Sequence, residues 1–210
     1  MNKYNILFHF HSCHSFDATN SLRNIIKALK NFKITHLVLT EHNNLDSYNL
    51  ICDLIKKENI PVEIIPACEY TTEVGDLIIL FCDKLLKFDN YKELIDKAKN
   101  EKALIALPHP YKRDSYPKDL IEKIDLYELL NLRGANRYFD NSIFKNKNFF
   151  FGSDSHNFLD FPGCINHYYS RNTNIRTVLL NEIPVPSIHR KELMLINFIS
   201  KIISKLKKLL

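Results

Sequence analysis

Apolar positions along this chain recur in two spacings that take turns. Apolar runs of the kind that mark buried strands fall at 6–11, 34–40, 62–68, 76–82, 103–107, 126–130 and 148–151. Between them, apolar residues three and four apart predict helices at 22–31, 46–58, 91–101 and 135–145, and a short one started by Pro117. Ser21 suits the N-cap of the first helix, whose buried face would hold Leu22, Ile25, Ile26 and Leu29. Strands and helices in alternation predict βα units with right-handed crossovers and a parallel sheet. Seven such strands fit a closed α/β barrel better than an open sheet. In the first strand, alternation places Ile6, Phe8 and Phe10 on one face and Leu7, His9 and His11 on the other. Near the end, Leu195, Ile196, Ile199, Ile202, Ile203, Leu206, Leu209 and Leu210 recur at helical spacing among lysines. The expected organisation is a barrel domain over 1–189 and a basic amphipathic helix over 190–210 docked on it.

With 210 residues, 45% hydrophobic and 25% charged, the chain can bury one core without staples. Its formal charge of +5 sits in the tail, where Arg190, Lys191, Lys201, Lys205, Lys207 and Lys208 face only Glu192. The body is near neutral, so a broad nucleic-acid surface is not favoured. The tail helix is a candidate for peripheral membrane contact. No apolar run approaches the ~18 residues of a membrane span. Five cysteines stand singly, without a CxxC pair or a secretory leader, which predicts a reduced, cytoplasmic protein. Cys68 and Cys82, inside apolar strands, are expected to fill core.

The residue types at the strand ends change the picture. The first strand delivers His9, His11 and, after a turn, Asp17; the second delivers His42; the third delivers Glu69. The fifth delivers His109, and the seventh Asp154 and His156. Strand C-termini converge on one face of an α/β barrel, where active sites are built. Any one of these side chains has an ordinary explanation as a cap, a turn or a core histidine. Eight imidazoles and carboxylates together predict a metal centre. Nitrogen with carboxylate oxygen suits Zn, Mn or Fe better than Mg. Eight donors exceed the need of one ion, so two or three divalent ions are expected, with Glu69 and Asp154 as candidate bridging carboxylates. Such ions activate a bound water as the nucleophile and clamp a phosphoryl group. The chain has no GxxxxGK[ST], GxGxxG or GxSxG motif. Metal-assisted hydrolysis of a phosphate ester is what its residues suit best. Lys112 and Arg113 after His109, and Arg133 and Arg137 after Asn131, are candidates to hold the phosphate. His14 is expected to be exposed or to stand behind the ligands, and His36, His167 and His189 to be structural.

In this order the motifs resemble those of the PHP family, named for polymerase and histidinol phosphatase. His9-Phe-His11 with Ser15 and Asp17 resembles its first motif, and Thr40-Glu41-His42-Asn43 its second. Ala67-Cys68-Glu69-Tyr70-Thr71 is similar to its glutamate segment. Leu107-Pro108-His109-Pro110 and Gly152-Ser153-Asp154-Ser155-His156 are similar to its last two motifs. The likeness runs from about Tyr4 to Asn157. It implies a distorted (β/α)7 TIM-like barrel and a metal-dependent phosphoesterase. Three positions depart from the family pattern. Leu7 stands where an aspartate is usual, Glu41 replaces an aspartate, and a further histidine is missing, with Asp76 nearest its place. The expected activity is hydrolysis of small phosphate monoesters by a stand-alone enzyme, since 110–153 leaves no room for a large insert. One alternative is a nuclease or nucleotide phosphatase acting on short nucleic acids. The other is a metal-binding accessory protein of weakened catalysis, for which Leu7 and Asp76 are the motive.

Overall fold

The computed structural model describes residues 1–134, 141–159 and 162–189, together with positions 202 and 205. Its strands are β1 (Asn2–Phe10), β2 (His36–His42), β3 (Glu63–Thr72), β4 (Gly75–Leu80), β5 (Leu104–Leu107), β6 (Leu126–Asn131), β7 (Asn148–Gly152), β8 (Cys164–Ser170) and β9 (Val185–Ile188). The helices are α1 (Leu22–Asn31), α2 (Asp46–Lys57), α3 (Tyr91–Asn100), α4 (Lys118–Lys123) and α5 (Ile175–Asn181). The strands form one sheet in the order β7-β6-β5-β4-β3-β2-β1-β8-β9. The sheet curls until β1 meets the segment after β7. Ser153 N and Asp154 N donate to Phe8 O and His9 O at 3.1 and 2.7 Å, and His11 N donates to Ser155 O at 3.0 Å. The result is a distorted, nearly closed α/β barrel.

The sheet is mixed rather than wholly parallel. β1, β2 and β3 run parallel, as do β5, β6 and β7, but β4 is antiparallel to both neighbours. Only residues 73–74 join β3 to β4. That link is too short for a crossover, so the pair must be a hairpin. Gly75, at φ +114°, turns the chain there. β8 and β9 were not legible from apolar spacing, because Cys164–Ser170 mixes Asn, His, Tyr and Ser. They extend the sheet antiparallel beside β1. Of the expected helix at 135–145, residues 141–144 form a 3-10 turn and 135–140 lie outside the described residues. The expected helix over 190–210 lies outside them too, except at 202 and 205.

Three apolar layers hold the barrel. Ile6, Phe8, Val38, Ile65, Ile78, Ala106, Leu126 and Phe150 fill its interior. Leu7, Phe10, Leu37 and Leu39 pack outward against Ile25, Ile26 and Leu29 of α1 and Ile51 and Ile55 of α2. Cys68, Ile79, Ile105 and Leu107 pack outward against Leu94, Ile95 and Ala98 of α3 and Leu120 of α4. Ser21 caps α1 as its sequence suggests, its hydroxyl accepting from Asn24 N at 3.3 Å.

One strand departs from simple alternation in a way that makes the site. Leu7 pairs with Leu37 but Phe10 pairs with Leu39, so β1 carries one residue more than β2 across this interval. His9 absorbs the extra residue at φ +54°, a left-handed conformation. Phe10 therefore joins Leu7 on the outer face, and His9 and His11 turn to the interior side that Ile6 and Phe8 occupy. Strict alternation had placed Phe10 with Ile6 and Phe8. Leu7 packs against helices rather than beside the histidines.

Candidate metal centre

The strand ends deliver their side chains to a cavity of about 310 Å³. Glu69, fully buried in β3, lies at its centre. Its Oε1 is 3.0 Å from His109 Nε2. Its Oε2 is 3.2 Å from His9 Nε2 and from His11 Nε2, and 3.4 Å from His42 Nδ1. Asp154 Oδ1 lies 3.6 Å from Nε2 of His9 and of His11, and 3.3 Å from His156 Nδ1. Asp17 lies between His42 Nε2 and His156 Nε2, at 3.5 and 3.3 Å. All eight expected ligands are thus brought together. Three groups have donor atoms close enough to share an ion: His11, His42 and His156; His9, Glu69 and His109; and His9, His11 and Asp154. These clusters are consistent with divalent-metal coordination. Asp76 stands at the margin, its Oδ2 3.7 Å from His109 Nε2.

Hydrogen bonds at the far side of three rings fix which nitrogen faces the cavity. His9 Nδ1 lies 2.9 Å from Glu128 Oε1, and His156 Nδ1 lies 2.8 Å from Asp154 O. Both partners are acceptors, so each Nδ1 carries the proton. His11 Nδ1 lies 3.3 Å from Ser15 Oγ, whose own hydrogen goes to Glu41. Each Nε2 is left as the donor to an ion, the arrangement found behind metal-bound histidines. His11 Nε2 and His42 Nδ1 are buried and have no hydrogen-bond partner among the described residues. Orphaned nitrogens cost energy in an apo cavity, and a cation among them resolves that cost.

The charges fit the same picture. Burial alone would depress the His9 imidazole, but Glu128, Glu69 and Asp154 raise it well above its ordinary range. Burial holds His11 low, and His156 and His42 add to this. Burial would raise Glu69 and Asp154, yet His9 and the other neighbouring imidazoles hold both carboxyls well below the usual range. Arg133 and Lys112 add to the effect at Asp154.

Two buried glutamates support the centre. Glu41 accepts from Ser12 N at 3.1 Å, from the hydroxyls of Ser12 and Ser15, and from Ser47 Oγ at 2.7 Å. Through Ser15, which also accepts from His42 N at 3.0 Å, it steadies the loop after β1. Glu128 of β6 was not legible as a site residue. A lone carboxylate inside the apolar run Leu126 to Leu130 was the available signal. Of the candidate phosphate-holding residues, Lys112 and Arg133 line the cavity with Phe16 at its edge. Arg113 borders an adjoining cavity that shares Thr71, Asp76, His109 and Lys112. Arg137 lies outside the described residues.

Fold and cavity together define a barrel protein with a buried histidine–carboxylate centre fit for divalent metals. The PHP domain family matches residues 8–161, and the chain belongs to this family. No curated protein matches it in sequence. Its fold is similar to a two-domain Bacteroides vulgatus protein that contains a predicted PHP-like metal-dependent phosphoesterase. That likeness has a TM-score of 0.76 at 18% identity over 95% of this chain and 70% of the other. It is also similar to PsfC from Pseudomonas syringae, with TM-score 0.66 and 14% identity over 98% and 99% of the two chains. A lesion-specific endonuclease from Pyrococcus furiosus gives TM-score 0.64 at 13% identity, over 87% of this chain and 58% of the other. At these identities the likeness is one of fold. No helix among the described residues is long and apolar enough to cross a membrane.

Proposed function

We propose that the protein is a metal-dependent hydrolase of small phosphate monoesters, working in the cytoplasm. The observation that carries this is Glu69: one buried carboxylate faced by four imidazoles, three of which come from separate strand ends and strand–loop junctions. His11, His42 and His156 with Asp17 would hold one divalent ion, and His9 and His109 with Glu69 a second, with Glu69 and Asp154 shared. Asp76 would serve a third position through oxygen. Zn, Mn and Fe suit this donor set. When bound, such ions supply an activated water and neutralise phosphoryl charge.

The chain's own residues bind and orient the ester. Lys112 and Arg133 are the cations lining the cavity, and they would hold phosphate oxygens against the carboxylate-rich floor. A cavity of about 310 Å³ suits a small phosphorylated molecule better than a polymer. The fold shared with the lesion-specific endonuclease favours, as a second reading, cleavage of short nucleic acids.

Purified full chain loaded with Mn²⁺ or Zn²⁺ should release phosphate from a panel of phosphomonoesters and lose this activity in His11→Ala. Two bound ions per chain with no phosphoester cleaved would overturn the proposal. Turnover of short oligonucleotides alone would install the second reading.

A further inference from the structure

Among the eight gathered ligands, three hold a left-handed backbone without being glycine: His9 at φ +54°, His109 at φ +32° and Asp154 at φ +46°. Such conformations persist only where surrounding contacts over-determine them. All three are tied to the same two side chains of β6. Glu128 Oε1 accepts from His9 Nδ1 at 2.9 Å, while Glu128 Oε2 accepts from the His109 backbone N–H and from Asn131 Nδ2. Asn131 Nδ2 also reaches Asp154 Oδ2 at 3.1 Å, and its Oδ1 accepts from Gly134 N at 2.9 Å.

Glu128 and Asn131 are three residues apart, an odd spacing that a regular strand would split between its two faces. Glu128 pairs with Phe150 but Leu130 pairs with Phe151, so β6 carries one extra residue here. That bulge brings the carboxylate and the amide to one side. The neighbouring strand is cut to match. A Cβ placed on Gly152 would lie 1.5 Å from Glu128 Oε1, so only glycine leaves room for the carboxylate.

We infer that the Glu128–Asn131 pair is a positioning clamp that holds His9, His109 and Asp154 in their left-handed, ligand-presenting conformations, and that Gly152 serves to admit it. The clamp rests on the metal-centre assignment proposed above, though not on the reaction. Its chemistry demands a carboxylate. Three N–H donors converge on Glu128, and an amide offers one acceptor oxygen where two are used.

The test reads metal rather than turnover, using Co²⁺ on the full-length chain. Glu128→Gln should weaken Co²⁺ binding about 10- to 100-fold and change the visible absorption of the bound ion, which reports coordination geometry. Gly152→Ala, which displaces Glu128 without altering its chemistry, should do the same. If Glu128→Gln does not fold, Asn131→Ser carries the test with an expected loss of about 3- to 10-fold. Folded variants that bind Co²⁺ within about twofold of the parent, with its spectrum, would overturn the clamp. So would a parent chain that binds no metal. A parent that binds Co²⁺ but cleaves no phosphoester would remove the hydrolase proposal and leave the clamp standing.

Discussion

Glu41 and Glu69 lie one register step apart on neighbouring strands, and both are buried. Their surroundings differ in kind. Glu41 is met by hydroxyls and an amide, all of which donate and have no better partner. Glu69 is met by imidazoles, each with a lone pair to offer once its proton leaves. A carboxylate satisfied by fixed donors is an anchor. One surrounded by groups that can surrender protons is a place where a cation can take over.

The largest effect should come from Glu69→Gln. With the central oxygen charge gone, metal content should fall and turnover of a phosphomonoester drop about 10³-fold, while the metal-free chain stays folded. Elemental analysis alongside single-substrate kinetics checks this; retained metal with near-normal rate would erase the contrast. Glu41→Ala should do the reverse. It strands the Ser12 amide and three serine hydroxyls in a buried space, and should cost at least about 3 kcal/mol in urea unfolding of the metal-free protein. If that loss disappears, Glu41 is not an anchor.

The same contrast shows what the sequence could reveal. The ligands were legible because polar residues at the ends of apolar runs stand out one strand at a time, as His42 and Glu69 do. α1 was legible to the residue, since Ser21 and the spacing of Ile25, Ile26 and Leu29 agree. The features that needed the fold are set by pairing. The bulge that turns His9 inward comes from hydrogen bonds to β2 and to the segment after β7, and nothing local in Phe8-His9-Phe10 marks it. Glu128 was hidden for a related reason, because its partner Asn131 lies at the wrong spacing for a regular strand. Leu7 looked like a defect of the site and is instead packing beneath α1 and α2, which removes one motive for the accessory-protein reading.

Acidity separates the two carboxylate environments next. In the metal-free chain, His11 is held low from its ordinary 6.5. Its contribution to stability is therefore fully present above about pH 6.5 and lost as pH falls through its folded pKa. His9, raised above 6.5, contributes stability below that value and loses it as pH rises through its folded pKa. Metal uptake must displace the His9 proton. Affinity should therefore rise with pH, by about tenfold per unit for each proton released, until the folded pKa of His9 is passed, and level off beyond it. Competition titrations with a chelator at three pH values measure the slope. Glu69→Gln should flatten it, because Glu69 is one of the charges holding His9 up. A slope unchanged by that substitution would mean the proton is lost elsewhere.

The smallest effects belong to the cations at the cavity wall. Lys112 is exposed and lines both the metal cavity and the adjoining one, whereas Arg113, one residue on, borders only the adjoining one. If Glu69 gathers the ions and Lys112 meets the phosphate, removing Lys112 should raise KM with only a small change in bound metal, since Lys112 is the lesser of the two cations that hold Asp154 low. One charge-assisted hydrogen bond at a solvent-exposed position implies about a tenfold rise for Lys112→Ala. Arg113→Ala should stay within about twofold. Arg133 is half-buried and helps hold Asp154 low, so its removal should disturb KM and metal content together. Kinetics paired with metal analysis on the three alanine variants separate these outcomes. Equal KM effects at 112 and 113 would show that the two cavities act as one substrate pocket, and would move the phosphate away from the Glu69 centre toward Gly75.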